Sequence, residues 1–363
     1  MKKPMRILLL SAGSLCARNV IDALAPHRRG LTLIGTNSLA AAGVFDCDAA
    51  HRVPPAADPD YEPVLAALID REEPDLVIPT RDDDVLALAR LKAARSGSTR
   101  PVLPVGSTAA AAIMDDKLAS HRFAVAEGLP FAATVATPEE ALALGEAHGY
   151  PLIGKPARGN GSRGVVLLLS PDHVRRAFAD SGMVVQPYLD PSPDLTAALP
   201  DLSAGVPFFF SLPETGQYSV QVVIGPDGDV SPLFASRNTM VCGRCEWSQR
   251  TTDPALARAG MDFAHSIRQA GWVGPFNVQF KRTPDGRYVA FEMNGRFTGT
   301  TSARSHLGFD EVAEVLRRFT GWSGDDSCPA APVAAVQKIL TDHPLPAADA
   351  ERFREDGRWR RSC

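Results

Sequence analysis

The chain has 363 residues, of which 45% are hydrophobic and 22% charged, with a formal net charge of −4. That length allows two or three domains with sizeable cores, and the composition is ordinary for a globular protein. The near balance of charge argues against a nucleic-acid partner, which needs a basic excess, and no apolar run approaches the ~20 residues of a membrane span.

The N-terminal run Ile7 to Leu10 is too short for a signal-peptide core, and Arg18, Asp22 and His27 follow it closely. The six cysteines are scattered, which suits free thiols in a reducing cytoplasm. The basic tail Arg358 to Arg361 reads as a solvated end.

Strand and helix alternate over the first ~110 residues. Arg6 to Leu10, Leu31 to Gly35, Asp75 to Pro79 and Pro101 to Val105 predict strands. Cys16 to Leu24, Tyr61 to Asp70 and Val85 to Ala94 predict helices. Such alternation predicts a parallel sheet with helices on both faces. The turn Leu10-Ser11-Ala12-Gly13-Ser14 lacks Gly-x-Gly-x-x-Gly, which argues against a nicotinamide dehydrogenase.

Beyond Gly106 the pattern changes. A helix over Asp116 to Glu127, with Asp115 as its N-cap, leads to an extended segment, Pro130 to Ala136. A helix opened by Pro138 and closed by Gly149 precedes strands Tyr150 to Lys155 and Val165 to Leu169, joined by the glycine-rich turn Gly159 to Gly164. This is a small α+β lobe. Gly182 to Leu189 leads out of it as a strand, and Asp190 to Glu214 is a long loop, a lid or an insertion. Strands Tyr218 to Ile224 and Val230 to Arg237, a helix Pro254 to Ala270, a hairpin Gly274 to Lys281 with Arg287 to Asn294, and a helix Asp310 to Phe319 complete a second lobe. Val333 to Leu340 reads as a last strand.

The hairpin carries the clearest chemistry. Side chains alternate along a strand, so Glu292 and Asn294 share a face, and Gln279 lies close to opposite Glu292. Three oxygen-bearing side chains then converge among apolar neighbours, a donor set that suits a hard cation such as Mg²⁺ completed by phosphates and water. The alternative is an exposed hairpin face bearing a chance carboxylate and amides.

Lys155 at a strand end, followed by Gly159, Gly161, Ser162 and Gly164, could bring a point charge and backbone N–H groups to phosphate oxygens, or could be a simple turn. Lys117 at a helix start could reach a phosphate or face solvent. Gln186, Tyr188 and Leu189 lie on an apolar strand between lobes, either an adenine floor or core. Arg237 could clamp a carboxylate or acyl phosphate, or be a surface residue. Thr298 to Thr301 could line a substrate pocket; Arg304 and His306 could join it, cap a helix or face solvent. Cys242-Gly243-Arg244-Cys245 supplies only two of four zinc ligands and is not read as a metal site. Asp82-Asp83-Asp84 is read as a helix start, where acidic residues complement the dipole.

In this order the pieces resemble the ATP-grasp superfamily, in the branch of carbamoyl-phosphate synthetase domains, biotin carboxylase and carboxylate–amine ligases. The resemblance covers about residues 1–320. It implies an α/β and α+β chain: a Rossmann-like preATP-grasp domain over 1–112, a small lobe over 113–182, a large lobe with the metal site over 183–322, and a C-terminal extension over 323–363.

It also implies roles. Lys117 and Lys155 would bind the nucleotide phosphates under the loop Gly159 to Gly164. Gln186, Tyr188 and Leu189 would form the adenine hinge. Gln279, Glu292 and Asn294 would hold Mg²⁺ or Mn²⁺, and Arg296 would meet the transferred phosphoryl. Pro187 stands where the family has a hinge Glu and so offers no N–H. Gln217 stands where a ribose-binding Glu is usual, and Glu214 is an alternative from the loop.

The activity implied is ATP-dependent joining of a small-molecule carboxylate to an amine through an acyl phosphate. Carboxylation through carboxyphosphate and a regulatory nucleotide-binding role without catalysis are the rivals. A cytoplasmic homodimer with no nucleic-acid or membrane partner is the expected setting.

Overall fold

In the computed structural model, residues 3–95, 100–159, 161–179, 182–189, 216–324 and 333–361 are described. The first of these alternate as expected: β1 (Met5–Leu9), α1 (Leu15–Leu24), β2 (Leu31–Asn37), α2 (Ala42–Phe45), β3 (Ala49–Arg52), α3 (Tyr61–Glu72), β4 (Leu76–Ile78) and α4 (Asp82–Ala94). The four strands are parallel in the order β3-β2-β1-β4. Ile7, Leu8 and Leu9 are fully excluded from water because helices cover both faces. The strand expected over Pro101 to Val105 reduces to one bridge, Leu76 to Val102. Pro101 and Pro104 lack the N–H groups that a ladder needs.

Next come α5 (Thr108–Asp115) and α6 (Lys117–Ala126). Asp115 does not cap α6, as the sequence suggested, but ends α5. The cap is Asp116, whose extended backbone breaks the helix and whose carboxylate accepts from the N–H groups of Leu118 and Ala119 at 2.9 and 3.0 Å.

The small lobe follows as α7 (Pro138–His148), β5 (Leu152–Pro156), β6 (Val166–Leu168), α8 (Pro171–Ala177) and β7 (Met183–Pro187). Its strands are antiparallel in the order β6-β5-β7. The expected loop 190–214 lies outside the described residues.

The large sheet comprises β8 (Gln217–Ile224), β9 (Phe234–Val241), β10 (Arg244–Arg250), β11 (Gly274–Arg282), β12 (Tyr288–Asn294) and β13 (Val336–Gln337), with α9 (Pro254–Gln269) between β10 and β11. The helices α10 (Thr301–His306) and α11 (Glu311–Thr320) follow β12. Strand order is β12-β11-β8-β9-β10-β13. One face presents Val220, Val222, Phe276, Val278, Phe280 and Met293 to Leu256, Phe263 and Ile267 of α9.

One reading of this region changes. The strand expected over Val230 to Arg237 begins at Phe234, and Val230 contributes a single bridge to Ile224. Cys242-x-x-Cys245 spans a hairpin turn, with Cys242 and Gly243 both left-handed at φ 48° and 73°, as a two-residue turn requires.

The basic tail is not a solvated end. After α12 (Ala347–Asp356), β14 (Arg358–Arg360) pairs antiparallel with β3. Trp359 is buried between two exposed arginines and meets Phe45 edge-on at 5.3 Å. Among the described residues, no helix is long and apolar enough to cross a membrane.

Candidate active site

Register pairs Gln279 with Glu292 and Asn277 with Asn294, so Gln279, Glu292 and Asn294 share one face as alternation predicted. The face continues across the sheet. Ser219 lies opposite Gln279, and Gln221 opposite Asn277. Asn238 Nδ2 donates to Ser219 Oγ at 3.1 Å, and Ser248 Oγ donates to Asn238 Oδ1 at 2.8 Å. Gln217 Nε2 donates to Gln279 Oε1 at 2.5 Å, tying the expected ribose position to the triplet.

The apolar face opposite is satisfied by α9, but the polar face is not satisfied within itself. Asn294 Nδ2, Asn277 Oδ1 and both amide atoms of Gln221 are buried without a hydrogen-bond partner among the described residues. Such groups each cost about 1–3 kcal/mol unless something meets them.

A β-bulge brings the first lysine to this face. Gln279 pairs with Glu292 but Phe280 pairs with Ala290, so Phe291 is an extra residue on β12. Its carbonyl accepts from Lys155 Nζ at 3.2 Å, and its ring lies 5.4 Å from that same Nζ. Lys155 is 6% exposed. Burial pulls its pKa down to about 8, against the field of Glu292 and with that of Lys117. Lys117 is also buried, and its Nζ donates to the carbonyl of Gly159 at 3.2 Å. Lys155 thus lies within the fields of both Glu292 and Lys117, and each lysine has a carbonyl partner. An oxygen-donor row beside two cations fits a divalent cation with the phosphates of a nucleotide.

The glycine loop closes one side. Gly159, Gly161 and Gly164 take φ of 134°, 66° and 72°, and Ser162 takes 56°. A Cβ added at Gly243 would lie 2.6 Å from Cβ of Ser162, so the loop abuts the β9–β10 turn. Gln186 is buried, and its Nε2 donates to Thr134 Oγ1 at 2.8 Å, which ties β7 to the extended segment before α7. Tyr188 and Leu189 are half-buried just beyond β7.

Arg296 is buried and bound by a partner that the sequence did not suggest. Its Nε donates to Asp82 Oδ1 at 2.7 Å and its Nη2 to Asp82 Oδ2 at 2.8 Å. Burial opposes the charged guanidinium, but the Asp82 carboxylate prevails and holds it protonated. The Asp82 to Asp84 run is therefore more than a helix start. Asp84 is fully buried and accepts from Tyr61 Oη at 2.6 Å, from Ser11 Oγ at 3.1 Å and from the N–H of Arg81 at 3.1 Å. A cavity of about 190 Å³ lies between the start of α4 and the glycine loop, lined by Arg81, Asp82, Asp83, Asp115, Arg158 and Arg163.

Two expected substrate residues are placed elsewhere. Arg237 is exposed, and alternation with buried Ser236 and Asn238 puts it on the face of Tyr218, away from the triplet. Arg304 is fully buried, with Nε and Nη2 on Glu311 Oε1 at 2.8 and 2.6 Å and Nη2 on Thr298 Oγ1 at 2.7 Å, so it organises the loop after β12. His306 is exposed at the end of α10.

The sequence matches no protein-family model and no curated protein sequence. Solved structures do resemble the chain. The biotin carboxylase domain dimer of Hydrogenobacter thermophilus 2-oxoglutarate carboxylase, in complex with MgADP, ADP and bicarbonate, aligns at a TM-score of 0.65 and 16% identity, over 88% of this chain and 71% of that one. The N5-carboxyaminoimidazole synthetase of Staphylococcus aureus with ADP aligns at 0.66 and 15%, over 93% and 81%. The ADP complex of PurK, N5-carboxyaminoimidazole ribonucleotide synthetase, aligns at 0.65 and 17%, over 90% and 80%. The chain has the ATP-grasp fold.

Proposed function

We propose that this chain is an ATP-dependent carboxylate–amine ligase. A substrate carboxylate takes the γ-phosphoryl of ATP, and the resulting acyl phosphate passes its acyl group to an amine, forming an amide or peptide bond with release of ADP and phosphate. The observation that carries the reading is the convergence of Lys155 and the Gln279, Glu292 and Asn294 row at the Phe291 bulge.

The residues divide the work. Gln279, Glu292 and Asn294 would hold Mg²⁺ or Mn²⁺, and Gln217 would orient Gln279. The ion, when bound, supplies charge neutralisation at the phosphoryl oxygens. Lys117 and Lys155 bind the phosphates, with Gly159, Gly161, Ser162 and Gly164 closing over them. Gln186, Tyr188 and Leu189 frame the adenine. Arg296, aimed by Asp82, stabilises charge on the transferred group. The glycine loop against the β9–β10 turn keeps water from the acyl phosphate until the amine attacks.

A second reading is a carboxylase in which bicarbonate is the carboxylate. It is favoured by the likeness of the fold to that of N5-carboxyaminoimidazole synthetases.

The test is ADP release with Mg·ATP against a panel of amino-acid pairs and amine acceptors, with and without bicarbonate. Amine-dependent release without bicarbonate supports the ligase, and strict bicarbonate dependence supports the carboxylase. Nucleotide binding with no ADP under any condition would leave a non-catalytic role. Glu292→Gln is expected to abolish ADP formation with the fold intact; near-normal turnover would sink the metal assignment.

A further inference from the structure

The C-terminal segment brings one more cation to the site's edge. β13 lies antiparallel on β10, with Val336 opposite Ser248 and Gln337 opposite Trp247. The N–H of Lys338 then donates to the carbonyl of Glu246 at 2.7 Å, which fixes its backbone. From there its side chain crosses to the loop after β12. Nζ donates to the carbonyl of Gly299 and, at 2.7 Å, to Oδ1 of Asn19 on α1. An ammonium has three donors, and these neutral acceptors use two.

The charges around Lys338 are otherwise settled. Arg296 is matched by Asp82, and Arg304 by Glu311. Asp22, the carboxylate whose field reaches Lys338, is committed to Arg18. Burial pushes the thiols of Cys16 and Cys245 up, so both facing sulfurs are neutral near pH 7. Among the described residues, Lys338 is therefore a half-buried positive charge with a spare donor. Burial also pulls its own pKa down, the direction that an anion would reverse. Cys16 neighbours both Arg296 and Lys338: its Sγ lies 3.8 Å from Arg296 Nη1, and its thiol also lies in the field of Lys338.

We infer that Lys338 binds a second carboxylate of the substrate, distinct from the one activated near Arg296, so that the substrate class is a small dicarboxylate or amino dicarboxylate. This rests on the ligase reading. The test is calorimetric titration of the full chain with Mg·ADP and then with glutarate, using glutaramide as the neutral counterpart. Wild type is expected to bind glutarate in preference to glutaramide. Lys338→Gln is expected to weaken glutarate binding roughly tenfold or more, the worth of a charged hydrogen bond. Lys338→Arg should restore it to within about threefold, and affinity for Mg·ADP should not change in either variant.

Equal glutarate binding by wild type and Lys338→Gln would overturn the inference. So would a failure of wild type to distinguish glutarate from glutaramide, or a parallel loss of Mg·ADP affinity, which would make Lys338 a structural tie. If wild type does not bind Mg·ADP, the ligase reading fails instead, and the glutarate comparison without nucleotide still decides the role of Lys338.

Discussion

Arg296 and Asp82, 214 positions apart in sequence, meet through two hydrogen bonds at 2.7 and 2.8 Å and join the loop after β12 to the start of α4. Both side chains are largely buried, so the pair acts as a fixed support for whatever Arg296 touches. Removing one partner of a buried ion pair costs about 3–5 kcal/mol, because the other charge stays behind. Asp82→Asn should therefore lower stability by that order in urea unfolding. Asp82→Leu with Arg296→Met should recover part of it yet leave ADP formation lost. Retained turnover in the double variant would reduce Arg296 to a structural residue.

Lys155 gives a pH signature. Its pKa in the free protein is drawn down from 10.5 to about 8 by burial. In the proposed role, nucleotide phosphates would favour its charged form, so binding would take up a proton near and above about pH 8 and none well below it. Calorimetry in buffers of differing ionisation heat should detect that uptake, and Lys155→Met should abolish it. In the nucleotide-free protein the unfolded lysine holds a proton that the folded one has shed between about pH 8 and 10.5, so the Lys155 contribution to stability rises with pH through that window.

Gly274 begins β11 at φ +113°, and a Cβ there would lie 2.1 Å from the carbonyl oxygen of Pro104. Gly274→Ala combines backbone strain with a backbone clash and should cost about 2–4 kcal/mol in denaturant unfolding. Gly228, at φ +79° with no neighbour nearer than 3.8 Å, is the control. Its alanine variant should cost about 1–2 kcal/mol, from strain alone.

Trp359 is the last large side chain in the core, 6% exposed and packed on Phe45. Trp359→Ala should destabilise by about 3 kcal/mol. A loss under about 0.5 kcal/mol would return the tail to the solvent-exposed role that its arginines suggested.

Much of this was legible beforehand because it is local. Alternation alone put Glu292 and Asn294 on one face, and the hairpin brought Gln279 close to opposite Glu292, although the exact pairing depends on the Phe291 bulge. Pro138 and Gly149 announced α7 at both ends. What stayed hidden depends on distant residues. Nothing near Asp82 names Arg296, and nothing near Lys338 names Asn19. The Phe291 bulge leaves no mark in composition, yet it aims a carbonyl at Lys155. Short elements such as β10, α8 and α10 were lost for want of a periodic run. The Trp359 error was one of emphasis, since flanking arginines masked an in-out alternation that was there to read.

The pairing of β14 with β3 also bears on how the protein is made. β3 leaves the ribosome well before Arg358 to Arg360, and until they follow, the backbone groups along one side have no strand to meet. Until they arrive, that rim is a template on which another chain's strand could settle. A variant cut before α12 would be expected to fail less by melting than by growing concentration-dependent assemblies through β3, and light scattering across a dilution series would reveal them. β14 would then serve as the chain's guard against sticking to its own copies.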